Sequence, residues 1–189
     1  METVSGLAVL VNARLQSSIS LHDSLHGFRA RRGTGTAIIE AKLFQQLASI
    51  NQVAVFEIFL DLQKAYDTVD RGRTLEILEQ YGVGVRTRTL LHQLWERQQI
   101  VARQAGSHSD PFGATRGVTQ GDPVSPTIFN IVVDAVVRFW LSQETDDGSE
   151  LIGLGRSVRE QMALFYADDG LLASRDGLGD EGLGVMLCL

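Results

Sequence analysis

The 189-residue sequence predicts a mixed α+β domain. Three observations carry that expectation. Apolar residues recur at helical spacing in several long segments. A short apolar and aromatic run, Val53 to Leu60, ends on Asp61. Two further short apolar runs, Met162 to Tyr166 and Gly170 to Ser174, flank Ala167-Asp168-Asp169. Strands of this length interspersed with helices give a mixed sheet-and-helix domain.

In chain order, residues 4–18 predict a helix with Leu7, Leu10, Val11 and Leu15 on one stripe. His22 to Gly35 is a polar, glycine-containing connection. Thr36 to Ser49 predicts a second helix, with Ile39, Leu43 and Leu47 at i, i+4 and i+8. Val53 to Leu60 is read as a buried strand. Asp70 is placed to cap a helix that runs through Tyr81 and stops at Gly82. Val85 to Arg97 predicts another helix, and Ile100–Ala105 and Phe112–Arg116 predict two strands joined by a polar turn. Gly117 to Val124 is a loop, and Ser125-Pro126 fits an N-cap and first helical position for a helix to about Leu141. The last two runs form a β-hairpin with two carboxylates at its turn. Trp95 and Trp140 fall in helical apolar patterns and are assigned to the core.

Composition narrows the possibilities. Apolar residues make up 44%, which excludes global disorder. The most apolar stretch, Ile128 to Leu141, is interrupted by Asn130, Asp134 and Arg138 and falls short of the ~20 residues a membrane span needs. The N-terminus, METVSGLAVLVNARL, has neither a basic lead nor a small-residue cleavage site and is not read as a signal peptide. The single cysteine, Cys188, excludes an internal disulfide framework and a cysteine-based zinc cluster. His22, His26, His92 and His108 have no metal-like spacing. A net charge of −6 argues against a uniformly phosphate-binding surface. The charges are unevenly spread, however. Arg29, Arg31 and Arg32 cluster in one loop, and Arg71, Arg73, Arg86, Arg88, Arg97, Arg103 and Arg116 follow. The acidic excess gathers near the carboxylate motifs and in ETDDGSE and DGLGDEG.

Two motifs carry chemistry. In FYADDGLLA, adjacent carboxylates between apolar strands are costly unless they reach solvent or a cation. Neighbours in a straight strand point to opposite faces, whereas at a turn both can approach one site. Taken alone, the pair is equally well read as an ordinary Asp-rich turn. In VFEIFLDLQKAYD, Asp61 alone reads as a strand end. Together, Asp61, Asp168 and Asp169 offer carboxylates on strand ends, the ligand type that Mg²⁺ takes. Two such ions ~3.5–4 Å apart can clamp the attacking and leaving oxygens of a phosphoryl displacement.

Four blocks, HGFRARRGTGTAI, FLDLQKAYDTVD, GVTQGDPVSPTIFN and FYADDGLLA, occur in that order between about residues 20 and 175. On these residues the chain resembles the reverse transcriptase family, most closely enzymes of non-LTR retrotransposons and more distantly those of group II introns. The resemblance implies the fingers and palm of a polymerase right hand, with a palm sheet carrying carboxylates at strand ends and packed against helices. Residues 1–52 would be a fingers-like segment, 53–175 the palm with part of the fingers, and 176–189 a truncated tail. It implies RNA-directed DNA polymerase activity on an RNA template, a DNA primer and dNTPs.

By the same resemblance, Asp61 and Asp168 are the principal ligands of two Mg²⁺ ions, which Mn²⁺ can replace, and Asp169 assists. Tyr66 matches an aromatic gate that excludes a 2′-OH; without the flanking motif it reads as a core tyrosine. Gln120 and Gly121 match the loop that lines the nucleotide and template pocket. Asp122, Pro123, Ser125 and Pro126 shape that loop. Arg32 is a candidate contact for phosphate or template, and Arg29 and Arg31 are weaker ones; the alternative is a solvated basic loop. Lys64 is a surface or nucleic-acid contact. Asp67 and Asp70 are helix-start residues.

After YADD the family pattern continues into a primer-gripping hairpin and a thumb, whereas this sequence ends in SRDGLGDEGLGVMLCL. That departure keeps a second reading open: a truncated remnant without catalysis that at most binds nucleic acid. A third is an RNA-dependent RNA polymerase palm. Ala167 before the Asp pair and Tyr66 at the gate position favour DNA synthesis over it.

Overall fold

A computed structural model describes residues 2–104, 106–142, 150–153, 156–159 and 161–174. The expected tail at 176–189, with Cys188, lies outside the described residues. The fold is a mixed α+β arrangement, as the sequence predicts. It divides into two compact units, residues 1–20 with 66–132 and residues 21–65 with 133–189.

The first unit contains α1 (Glu2–Ser18), α3 (Ala65–Thr68, which begins at the boundary), α4 (Arg71–Gln80), α5 (Val85–Glu96), β2 (Gln99–Ile100), β3 (Arg103–Gln104), β4 (Ser107–His108), β5 (Phe112–Gly113) and the start of α6 (Ser125–Ser142). α5 packs against both α1 and α4. Ala8, Val11, Leu15, Leu78, Leu91 and Trp95 are among its buried side chains. The expected α1 stripe is corrected in one place: Leu10 is 46% exposed, and Ala8 takes the buried position instead. Ala8, Val11 and Leu15 repeat at i, i+3 and i+7, while Leu10 sits ~100° away from Val11.

α4 starts and stops where its sequence dictates. The Asp70 carboxylate accepts from the Arg73 N–H at 2.9 Å. At the other end Gly82 takes φ 77, Gly82 N–H donates to Glu79 O and Val83 N–H to Leu78 O, each at 2.9 Å. That pair of bonds is a Schellman closure, sealed by contact-prone Val83 and Leu78, both buried. The expected strands around 100–116 are shorter and split. β2 pairs with β5 and β3 with β4, and between them Ala102 N–H bonds Ser109 Oγ at 3.0 Å. Their residues are exposed, so little burial supports longer pairing.

The second unit holds α2 (Thr34–Ile50), β1 (Phe56–Asp61), the remainder of α6, β6 (Glu150–Gly153), β7 (Arg156–Arg159), β8 (Gln161–Tyr166) and β9 (Asp169–Ser174). β1, β9 and β8 form an antiparallel sheet in that order, and β6 pairs with β7. α2 packs on β8. Phe44, Leu47, Ala48 and Ala173 form a core cluster joined by Val53, Val55 and Met162.

Two expectations are corrected here. The buried face of α2 is Phe44-Leu47-Ala48; Ile39 is 67% exposed and Leu43 lies at the surface. β1 is not a buried strand, since Phe59 is 75% exposed and Phe56 is also exposed. It is an outer strand of its sheet, so one edge and part of its surface lack a protein partner among the described residues. Trp95 and Trp140 are buried as expected. Among the described residues no helix is long and apolar enough to cross a membrane.

Candidate active site

The carboxylates are positioned by the three-stranded sheet. β8 and β9 pair with Tyr166 opposite Asp169, leaving Ala167-Asp168 as a two-residue turn. Ala167 has φ 55 while Asp168 does not take a positive φ, the pattern of a type II′ turn. That position ordinarily suits glycine, so alanine holds a strained backbone there. β1 pairs with β9 so that Asp61 lies directly opposite Asp169. The Leu62 N–H donates to the Asp168 carbonyl at 3.1 Å and extends the pairing to the turn. Residues directly opposite on antiparallel strands project to the same face with Cβ atoms ~5 Å apart, and like charges there repel. Asp61, Asp168 and Asp169 are all exposed.

The donor chemistry and this register fit a hard divalent cation, which would offset the Asp61–Asp169 repulsion. Among the described residues, however, no group of three or more His, Cys, Asp or Glu side chains stands ready to hold a metal. The backbone brings two carboxylates opposite each other and the third to the adjoining turn.

The hairpin is braced by residues that sequence reasoning missed. Leu25 forms a parallel bridge to Phe165. Phe165 N–H donates to Ser24 O at 2.8 Å, and His26 N–H donates to Phe165 O at 2.7 Å. A Cβ on Gly27 would lie 2.6 Å from the Ala167 nitrogen, so only glycine allows this approach to the turn. The His26 ring is fully buried, with Nδ1 2.8 Å from Thr36 Oγ1 and Nε2 3.2 Å from Glu40 Oε2, both on α2. Neither the spacing among histidines nor the place of His26 at the head of HGFRARRGTGTAI speaks to such a brace.

The basic loop is organised around its own backbone. The Arg29 guanidinium donates to the carbonyls of His22, Leu25 and Leu21 at 2.6, 2.9 and 3.3 Å. Burial, then the Arg32 charge, pushes its pKa down from the ordinary value. Arg32 pairs with the Asp23 carboxylate and lies 3.8 Å from Glu40. Arg31 is exposed at φ 62.

In the other unit, Tyr66 meets the predicted nucleotide loop. Its ring stacks on Phe129 at 5.0 Å between centroids and 15° between planes. Its carbonyl accepts from Val118 N–H at 2.8 Å, and Val69 O accepts from Gly117 N–H at 2.8 Å. Asp122 N–H returns to Thr119 O at 3.2 Å, closing a turn with Gln120 and Gly121 at its corner. Gly121 takes φ 87, as the third position of a type II turn requires. Gln120 is exposed. Asp122 Oδ1 accepts from Val124 N–H at 3.0 Å and holds the exit from the turn. The first α6 ladder bond runs from Ile128 N–H to Val124 O at 3.0 Å, so Val124 occupies the cap position expected of Ser125. The helix therefore starts one residue earlier than the sequence predicts.

A family model described as reverse transcriptase (RNA-dependent DNA polymerase) matches residues 5–180. The chain is 26% identical over 176 residues to the retrovirus-related Pol polyprotein from type-2 retrotransposable element R2DM of Drosophila melanogaster, covering 93% of this chain and 16% of that protein. It is 26% identical over 162 residues to the corresponding polyprotein from type-1 retrotransposable element R2 of Popillia japonica, covering 84% and 22% respectively. The chain therefore spans about a fifth of the length of these relatives. A solved telomerase from Candida tropicalis, in complex with the TWJ fragment of telomeric RNA, matches with a TM-score of 0.65 at 14% identity over 97% of this chain and 30% of that one. At that identity the likeness is one of fold.

Proposed function

The chain belongs to the reverse transcriptase family, and from that premise we propose that it is an RNA-directed DNA polymerase module that adds dNTPs to a DNA primer 3′-OH on an RNA template. The observation that carries this reading is the pairing of Asp61 opposite Asp169 with Asp168 at the adjoining turn. In it, residues 1–52 serve as the fingers-like segment and 53–175 as the palm with part of the fingers.

Asp61 and Asp168 would hold two Mg²⁺ ions with Asp169 assisting, and Mn²⁺ could substitute. Bound there, the ions supply activation of the 3′-OH and charge neutralisation of the triphosphate and leaving pyrophosphate. The protein's own contribution is alignment. The short turn fixes two carboxylates on a rigid sheet, and β1 presents the third. Tyr66, its ring backed by Phe129, acts as the sugar gate. Its stacking partner resists displacement, so a 2′-OH meets a fixed surface. Gln120 offers a donor and an acceptor at the corner of its turn, and Gly121 leaves the approach there open. Arg32 reaches a nucleic-acid phosphate by exchanging Asp23 for it.

The test is primer extension on an RNA template with dNTPs and Mg²⁺, beside an Asp168→Asn protein. The expected result is extension by the parent and a loss of about 10²–10³-fold in the variant, the scale on which electrostatic elements act. Extension that survives the substitution overturns the site assignment. Absence of extension with measurable duplex binding would instead favour the non-catalytic reading. Replacing dNTPs with rNTPs, with and without Tyr66→Ala, tests the gate.

A further inference from the structure

We propose that Arg71 and Gln98 are positioning residues that set the Thr119–Asp122 turn, and through it nucleotide affinity; the second half rests on the role given above to Gln120 and Gly121. Arg71 begins α4 immediately after its capping Asp70. A cation at a helix N-terminus gains nothing from the helix dipole, so Arg71 is held there by something else. Its side chain is buried, and burial lowers its pKa. Nε donates to Gly117 O at 2.9 Å, Nη1 to Ala114 O at 2.6 Å and Trp95 O at 3.3 Å, and Nη2 to Gln98 Oε1 at 2.5 Å. The guanidinium also lies over the Trp95 ring, 5.6 Å from its centroid. One planar fork thus joins the end of α5 to the segment between β5 and the turn. A lysine, a point charge with no fork, cannot reproduce this set.

The relay has a direction. Arg71 can only donate, so the oxygen of the Gln98 amide must face it and the NH₂ must face away. That NH₂ donates to Thr119 Oγ1. Thr119 in turn accepts from Asp122 N–H and opens the turn that carries Gln120 and Gly121. The chain Arg71–Gln98–Thr119 therefore fixes the first residue of the turn from outside it, while Tyr66 O and Val69 O fix the residues just before. Every member lies in one compact unit.

Gln98→Leu keeps the volume of the side chain and removes both bonds; Thr119→Val removes the far partner. Gln98 is only half-buried, so leucine there leaves no core cavity, and the α5 amides report whether the fold is kept. Amide hydrogen exchange of the full chain is expected to speed up about tenfold for the turn residues in either variant, with the α5 amides unchanged, and the double variant to show no further increase. In primer extension, KM for dNTP is expected to rise about five- to tenfold with kcat within about twofold, as for Gln120→Ala. Arg71→Lys, if it folds, reproduces Gln98→Leu; if it does not, Gln98→Leu decides alone. Unchanged turn exchange in Gln98→Leu overturns the relay, whether or not the protein extends primers. Faster exchange while neither Gln98→Leu nor Gln120→Ala moves KM leaves the relay standing and removes the nucleotide role of the turn.

Discussion

Gly117 and Gly121 share a left-handed backbone but not their surroundings. Gly121 has φ 87 and nothing within 4 Å of the position a Cβ would take. Gly121→Ala is therefore expected to cost about 1–2 kcal/mol, the conformational term alone. Gly117 has φ 82, and its Cβ would lie 2.9 Å from the Asp67 carbonyl oxygen. Backbone overlap adds about 1–3 kcal/mol, so Gly117→Ala should be the more damaging in urea unfolding. Equal costs would show that Asp67 yields. The cap at Asp70 makes a second residue-scale prediction. The Arg73 N–H bond holds its carboxyl below the ordinary value of 3.8. The folded state thus binds this proton less tightly than the unfolded state. The stabilisation is complete above about pH 4 and is lost as pH falls through the lower, folded value. Asp70→Asn keeps the cap and should flatten this part of the acid limb, whereas Asp70→Ala should cost about 1 kcal/mol at neutral pH. Asp70 was legible because a cap is a local device. Arg71, its neighbour, was not: nothing in a run of arginines distinguishes a solvated one from one whose acceptors lie on residues 95, 98, 114 and 117.

The same contrast holds for elements. α4 was readable at both ends because Asp70 and Gly82 act on their own backbone. The buried face of α2 is not legible because Ile39-Leu43-Leu47 and Phe44-Leu47-Ala48 each fit one face of a helix, and only packing on β8 decides between them. β1 reads as buried from its apolar run, yet its outer place in the sheet leaves Phe56 and Phe59 exposed. β6 and β7 carry no strong alternation and were not anticipated. The catalytic candidates were legible as a hairpin with a carboxylate turn, but the Ser24–Gly27 segment that braces it was not, since its contact with Phe165 spans most of the chain. That brace makes an element-scale prediction. Gly27→Ala would drive a methyl into the Ala167 nitrogen, 2.6 Å away. It should destabilise the protein by about 1–3 kcal/mol and slow primer extension beyond what the lost folded fraction explains. Ala167→Gly, which relieves the positive φ, should change stability by less than about 1 kcal/mol. Unfolding and extension rates measured together separate the two effects. A Gly27→Ala protein with normal stability and rate would show that the close approach plays no part in setting the turn.

At the scale of the whole molecule, charge poses the sharpest demand on the proposed function. A chain with 23 acidic and 17 basic side chains must hold a polyanion. Three of those acids, Asp61, Asp168 and Asp169, gather on one sheet end. A primer terminus drawn there meets repulsion from the carboxylates before it meets any attraction. In water, each carboxylate ~8 Å from a phosphate contributes about 0.5 kcal/mol of repulsion at low salt. Three together amount to roughly tenfold in affinity, and the effect shrinks as the Debye length falls to ~8 Å at physiological ionic strength. Metal should therefore control binding as well as chemistry. Without divalent ions, the protein carrying Asp61→Asn, Asp168→Asn and Asp169→Asn together should bind primer–template several-fold to tenfold more tightly than the parent at low salt. Mg²⁺ should strengthen binding by the parent and leave the variant nearly unchanged, so that the gap closes or reverses. Fluorescence anisotropy with a labelled primer–template, run with and without Mg²⁺ at two salt concentrations, measures both terms. Equal affinities without metal and equal responses to Mg²⁺ would mean that the nucleic acid does not approach this sheet end, and the assignment of all three carboxylates would fall with it.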